Sequence, residues 1–433
     1  MARIIDNLRK HDVANRLVHG AFWTFTGTAI GKFCFFLSGI LCARILGKDI
    51  FGELGIIRST IGMFIVLGAT GIGVTATKFI SQYRKDSPDH AASVYQLSNR
   101  FSLVIGLAIV ILLLLFSHVI AEHILDSPNL DTIIRYGSIM LFVSILNGIE
   151  NGTLMGLEDF RSIAINTLWG GIAEAVLMVA GAYYFHLSGA IIGFGLGITL
   201  LYILNFFSVR RSFARNHIDI KKGRIRKEDW KLLYTYSIPA TLSAIMVTPA
   251  FFIIRTLLVR NNGFGELAIF EAADQWKVIL LFIPGAISQI VLPILASITS
   301  NKEFKNTLLA NIIGISCISL LFAIFTLLAS NMIMNFYGNG FEDTTPLILL
   351  GFSTVFSSVS NVIEMSVYSK NKIWTSFLLN LIWAIVLILS TYYLLQMGYG
   401  ASALALAVFI SYVAKTLMIW IYIKTILKTY DHQ

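Results

Sequence analysis

Long apolar runs separated by short polar intervals make up nearly the whole chain. About 20 mainly apolar residues suffice for a helix to cross the hydrocarbon of a bilayer. The backbone has no water to bond to there, so such runs are helical. The pattern predicts twelve spans, at 17–46, 52–80, 96–120, 132–156, 162–186, 188–209, 231–259, 265–298, 306–334, 344–369, 373–396 and 401–427. Several are longer than the bilayer is thick, which implies tilt or protrusion.

One polar interval stands apart. Arg210 to Lys231 holds nine Lys or Arg residues and lies near the midpoint of the 433. The same plan recurs on its two sides. Phe51-Gly52-Glu53-Leu54 returns as Phe264-Gly265-Glu266-Leu267, 213 residues on. At an offset of 214, Asn147, Ile149, Glu150 and Asn166 fall on Asn361, Ile363, Glu364 and Asn380. A repeat of half the chain decides the architecture. We therefore expect an all-α integral membrane protein with twelve transmembrane helices in two pseudo-symmetric six-helix lobes. Its parts are an N-lobe at 1–209, a basic connector at 210–230 and a C-lobe at 231–433. Residues 1–16, with Arg3, Arg9, Lys10 and Arg16, suggest an interfacial segment ahead of the first span.

Charge sets the orientation. Of 33 Lys and Arg residues, 24 fall on seven alternate polar segments: 1–16, 78–100, 158–162, 210–231, 300–306, 370–372 and 424–433. By the positive-inside rule these face the cytoplasm, as do both termini. Six spans per half then give both halves one orientation. Hydrophobic residues are 56% of the chain and charged residues 13%, against roughly 25% charged in soluble domains. The net charge of +9 is accounted for by these loops, which meet anionic membrane lipids, so nucleic acid is not expected as a partner.

No cofactor or metal is expected either. Cys34, Cys42 and Cys317 lie inside spans without ligand spacing, and no HExxH occurs. Gly27-x-x-x-Gly31-Lys32-Phe33 lacks a spacer residue and the Ser/Thr of a phosphate loop, so nucleotide-driven transport by this chain alone is not expected. The short outer connections leave little room to hold sugars for an integral-membrane enzyme.

Helix breakers collect on four spans. Span 1 carries Gly20, Gly27, Gly31 and Gly39, and span 2 carries Gly62, Gly68, Gly71 and Gly73. Their counterparts carry Pro239 and Pro249, and Pro284 and Pro293. Interruptions at corresponding places in two halves point to a moving, substrate-lining region. Gly189, Gly193 and Gly197, four apart in span 6, fit close helix packing instead.

The same four spans carry cations: Lys32, Arg58, Arg255 and Lys277. A charge at the bilayer centre costs roughly 2.5–3.5 kcal/mol on insertion scales, so each is a candidate for substrate binding. Lys32 is the strongest, being central with no acid near it on its own helix. Asp274 and Lys277, three apart, also fit simple mutual neutralisation. Lys415 in span 12 looks isolated. Glu174 and Asp274 are the ion-coupling candidates, because both lie well inside spans; Glu150 and Glu364 read as helix-end residues.

The stretch Ala43-Arg44-Ile45-Leu46-Gly47-Lys48-Asp49-Ile50-Phe51-Gly52 is similar to an A-R-x-L-G-P-x-x-F/Y-G signature, with Lys48 where Pro is usual and Leu54 where an aromatic is frequent. Gly71 to Ser81 is similar to the end of span 2 in the same family. With the twelve-span plan, the chain resembles the Wzx-type polysaccharide (O-antigen) flippases of the multidrug/oligosaccharidyl-lipid/polysaccharide exporter superfamily. The resemblance implies a secondary transporter in the bacterial inner membrane. It would flip a lipid-linked oligosaccharide of the undecaprenyl-diphosphate type from the cytoplasmic to the outer leaflet, by alternating access through a cationic cavity between lobes. Its protein partners would be other membrane components of polysaccharide assembly. A cationic lining suits a diphosphate. The alternative is a multidrug or other lipid exporter of the same superfamily.

Overall fold

The structure is a computed structural model and describes residues 26–27, 29–232, 237, 241, 246–297, 300–369 and 373–431. The expected interfacial segment at 1–16, Gly20 and Pro239 lie outside them. Among the described residues helix follows helix and no strand occurs. The principal helices are α1 (Ala29–Leu46), α2 (Lys48–Tyr83), α3 (Pro88–Ile124), α4 (Asp131–Gly156) and α5 (Phe160–Arg215). After a short α6 (Lys227–Leu232) come α7 (Val247–Asn262), α8 (Phe264–Leu280) and α9 (Phe282–Ser297). The chain continues through α10 (Asn301–Asn335), α11 (Thr345–Ser369), α12 (Ile373–Gln396) and α13 (Gly400–Asp431). Nine helices among the described residues are long and apolar enough to cross a membrane.

Sequence chemistry explains where helices start and break. Gly47 (φ 78°) and Gly263 (φ 85°) sit in the left-handed region, open to glycine at little cost, immediately before α2 and α8. These are the two helices that carry the repeated FGEL. The 56 residues of α5 are not one rod: Phe185 (φ −131°, ψ 18°) and His186 (φ 51°, ψ −137°) leave helical geometry. The break falls where the pattern separates the fifth and sixth spans. Gly189, Gly193 and Gly197 then lie against Gly181, Leu177 and Glu174 of the first half, where no side chain would fit. The packing reading of that glycine row holds.

Two further interruptions correspond. In α2 the turn Val66–Thr70 widens to π-helical geometry, next to Gly71. Between α8 and α9 the break is at Leu281, three residues before Pro284. At the 213 offset Leu281 maps onto Gly68, within the widened turn. A π-bulge and a proline are two ways to interrupt a helix.

The chain forms two compact units. One comprises Met1–Ser38, Ile61–His123 and Ser127–Ile245; the other comprises Gly39–Thr60, Ile124–Asp126 and Met246–Gln433. The core of the first gathers Phe79, Ile80, Tyr95, Leu154, Val209, Phe213 and Ile218. The basic connector is folded onto this unit. Ser93 Oγ donates to the Arg224 carbonyl (3.0 Å), Gln96 Nε2 to that of Ile220 (2.5 Å), and His90 Nε2 meets Asp229 Oδ1 at 2.7 Å. In the second unit Leu295, Phe304, Leu308, Val362, Ile363, Leu379 and Ile419 form one cluster. Phe51, Tyr337 and Phe341 form an aromatic set there with centroids 5.5–6.3 Å apart.

Both units are turned out for lipid. Leu115 is 71% exposed and Leu328 81% exposed, and Cys317 sits on an outer face near exposed Ile313 and Leu321. Apolar faces of this extent favour hydrocarbon over water at about 25 cal/mol per Å². Several buried hydroxyls return to their own helices, as with Thr354 to Gly351 O (2.6 Å) and Ser366 to Ile363 O (2.6 Å). These hydroxyls are thereby satisfied without water.

Candidate functional site

In the second unit α7 and α8 bring four charged side chains into one cluster. Arg255 Nε donates to Glu271 Oε1 at 2.5 Å, and Arg255 Nη2 to Asp274 Oδ2 at 3.0 Å. Lys277 Nζ lies 2.5 Å from Asp274 Oδ1. Glu271, Asp274 and Lys277 fall at i, i+3 and i+6 of α8, which places them along one side of that helix. Arg255 reaches them from α7. Side-chain exposure is only 7–15% across the four. Phe251 carries the Lys277 ammonium at 4.6 Å and the Arg255 guanidinium at 5.4 Å from its ring centroid. Two cations and two acids sum to zero. The simple neutralisation of Lys277 by Asp274 is therefore what occurs, and Glu271 takes Arg255 as its partner.

A second buried set was missed in the sequence. Lys415 Nζ of α13 donates to Glu364 Oε2 of α11 at 2.9 Å and to Asn380 Oδ1 of α12 at 2.7 Å. Asn380 Nδ2 (2.8 Å) and the Ser376 hydroxyl both donate to Glu364 Oε1. Lys415 is thus not isolated, and Glu364, in the last two turns of α11, is 7% exposed and bound to side chains at three other helical positions. In the first unit the repeat equivalent Glu150 is also buried, at 1% exposure, and accepts the Tyr95 hydroxyl at 3.0 and 3.3 Å. It has no ion pair among the described residues. Asn166 bonds Asn205 and Ser208 instead of the acid (2.8 and 2.9 Å).

The remaining candidates are distributed over both units. Lys32 is exposed on α1 of the first unit, and Glu174 is half-buried on α5. The two helices cross at Gly31 and Gly171, where a Cβ on residue 171 would lie 3.0 Å from the Gly31 Cα. Lys32 and Glu174 each stand within a turn of that crossing. Arg58 is half-buried in the second unit.

With this geometry, similarity to known proteins becomes informative. The family model described as "Polysaccharide biosynthesis protein" matches residues 17–299. The chain belongs to that family. The match includes Lys32, Arg58, Glu174, Arg255, Asp274 and Lys277, and stops before Glu364 and Lys415. It bears out the resemblance to Wzx-type polysaccharide transporters. The chain is 23% identical over 60% of its length to the EPS I polysaccharide export inner membrane protein EpsE of Ralstonia nicotianae, of which the match spans 66%. It is 22% identical over 78% of its length to a putative O-antigen transporter of Shigella flexneri, spanning 81% of that protein. In fold it is similar to an inward-facing multidrug resistance MATE family transporter of the MOP superfamily. The TM-score is 0.82 at 16% identity, over 93% of this chain and 96% of the other. This chain therefore shares its helical fold with a protein described as a multidrug transporter, so the fold alone leaves the cargo open.

Proposed function

We propose that this protein is a multi-pass inner-membrane transporter of twelve spans with both termini cytoplasmic. It flips a lipid-diphosphate-linked oligosaccharide from the cytoplasmic to the outer leaflet by alternating access, along a pathway lined by Lys32, Arg58, Arg255 and Lys277. The family match over residues 17–299 carries this reading. The names of the relatives, a polysaccharide export protein and a putative O-antigen transporter, support the cargo class. Charge bears on the multidrug alternative. A pump for cationic drugs needs acids that remain available; in the second unit Glu271, Asp274 and Glu364 each already hold a cation, whereas Glu150 in the first unit bonds a tyrosine and, among the described residues, no cation. Arg255 and Lys277 are each matched by an acid, which lowers the net attraction they add. Deletion of the gene should make a lipid-linked oligosaccharide accumulate on the cytoplasmic leaflet, measured by extraction and leaflet-selective labelling. Accumulation of a dye or drug with normal lipid-linked intermediates would favour the exporter reading.

The topology has its own test. Cysteines introduced at Lys85 and Lys222, both exposed, should react with an impermeant maleimide only in inverted vesicles. Those at Asn129 and Asn339, also exposed, should react in intact cells. Gly223 is a poor labelling position, because a Cβ there would press on the Ala92–Ser93 backbone. Labelling of residue 222 from outside would overturn both the span count and the orientation.

A further inference from the structure

The folded connector creates a pocket on the first unit that the transport reading does not use. It lies between the early turns of α3, the end of α5 and the turn Ile220–Lys222, with a volume of about 540 Å³. That is within the roughly 300–1,000 Å³ usual for small-ligand sites. Three cations line it, Arg100 from α3, Arg210 from α5 and Lys221 from the turn, against one acid, Asp219. None of the three cations forms an ion pair among the described residues. Asp219 is turned to its own backbone, accepting from Lys221 N at 3.0 Å. The Arg210 guanidinium is stacked on Phe206 at 4.1 Å from the ring centroid, which fixes its position. The turn is itself anchored by Gln96 on Ile220 O.

The walls say what kind of anion fits. Leu103 and Phe206 line the pocket. Leu103 is 44% exposed and continues into exposed Leu107 on α3; beside Phe206, Ile203 and Phe207 are 41% and 63% exposed on α5. A cationic end thus opens directly onto an apolar, lipid-facing flank. A soluble anion would have no use for that flank, whereas acyl chains lie along such a surface. We propose that this pocket binds the phosphate headgroup of an anionic phospholipid from the surrounding membrane, with Arg100, Arg210 and Lys221 as its ligands. Basic pockets between helices on the cytoplasmic side take headgroups of this class. The site requires only that the first unit be membrane-embedded, so it stands or falls separately from the cargo.

Native mass spectrometry of the purified full chain, titrated with phosphatidylglycerol or phosphatidylcholine, tests it without any variant. Selective retention of one phosphatidylglycerol is expected; equal retention of both lipids would overturn the site. Arg100→Ala/Arg210→Ala/Lys221→Ala should weaken phosphatidylglycerol retention about tenfold or more. Lys85→Ala/Arg224→Ala/Arg226→Ala removes the same charge from exposed positions outside that turn and should change it less than twofold, that is by under about 0.4 kcal/mol. Equal loss in the two triple variants would mean a diffuse positive potential and no site. Complete displacement of the lipid by millimolar inorganic phosphate, or tighter binding of a polyprenyl diphosphate than of phosphatidylglycerol, would also overturn the assignment. The first would make the pocket a soluble-anion site, the second a cargo site.

Discussion

Asp274→Asn is expected to destabilise the protein by about 3–5 kcal/mol, the range for breaking a buried ion pair from one side. The carboxylate holds two cations at once, Arg255 Nη2 at 3.0 Å and Lys277 Nζ at 2.5 Å. An amide in its place leaves both cations in a site where the four side chains are at most 15% exposed, with Glu271 as the one acid left in the cluster. Glu271→Gln should cost less, because Arg255 keeps Asp274. Asp274→Asn combined with Lys277→Met restores charge balance and should recover most of the loss, a coupling that a double-mutant cycle reads directly. The measurement is the melting midpoint of the detergent-purified protein by fluorescence-detected size exclusion. Parental stability in Asp274→Asn, or no recovery in the double variant, would remove the cluster as a structural keystone. The consequence for mechanism is direct. An acid that matches two buried cations is poorly suited to exchanging an ion on every cycle, so loss of transport in Asp274→Asn must be read against this cost before it counts for coupling. Glu174 is the better of the two coupling candidates.

Much of this was legible in the chain, for reasons that particular residues show. The apolar pattern separates spans at His186, and the backbone does break there. The offset that pairs Pro284 with Gly71 leads to two interrupted helices at equivalent positions. Periodicity also suggested the Asp274–Lys277 pair, since residues three apart on a helix are neighbours. It cannot reach across helices. Lys415 finds Glu364 at a separation of 51 residues, and Arg255 finds Glu271 across the turn that joins α7 to α8. Repeat symmetry was a partial guide. Glu150 and Glu364 are equivalent in sequence and both buried, yet one bonds a tyrosine and the other a lysine. The packing of the connector was not legible. Nine cations mark a basic connector, while its backbone carbonyls, which no charge count reveals, are claimed by Ser93 and Gln96.

Lys32→Ala is expected to abolish complementation of surface-polysaccharide assembly at normal membrane expression, while Lys32→Arg keeps much of it. Lys32 is exposed on α1. Facing hydrocarbon, it would carry an insertion penalty of roughly 2.5–3.5 kcal/mol without return. In a wet pathway that penalty falls. A diphosphate 4 Å away then gains about 4 kcal/mol per unit-charge pair at an effective dielectric near 20, before screening and desolvation reduce it. Losing most of that term is enough to stop a carrier, and arginine restores the charge though not the point geometry. Arg58→Ala should impair complementation less. So should Arg255→Ala, whose charge is already matched by Glu271 and Asp274. The crossing at Gly31 and Gly171 supplies the rival explanation: Lys32 could serve only to balance Glu174 on the adjoining helix. The two roles part in the double variant Lys32→Ala/Glu174→Gln. Charge balance alone predicts that it regains transport; attraction of a diphosphate predicts that it stays inactive. Full activity in the double variant, or in Lys32→Ala/Arg58→Ala/Arg255→Ala/Lys277→Ala, would remove the cationic pathway and leave family membership untouched.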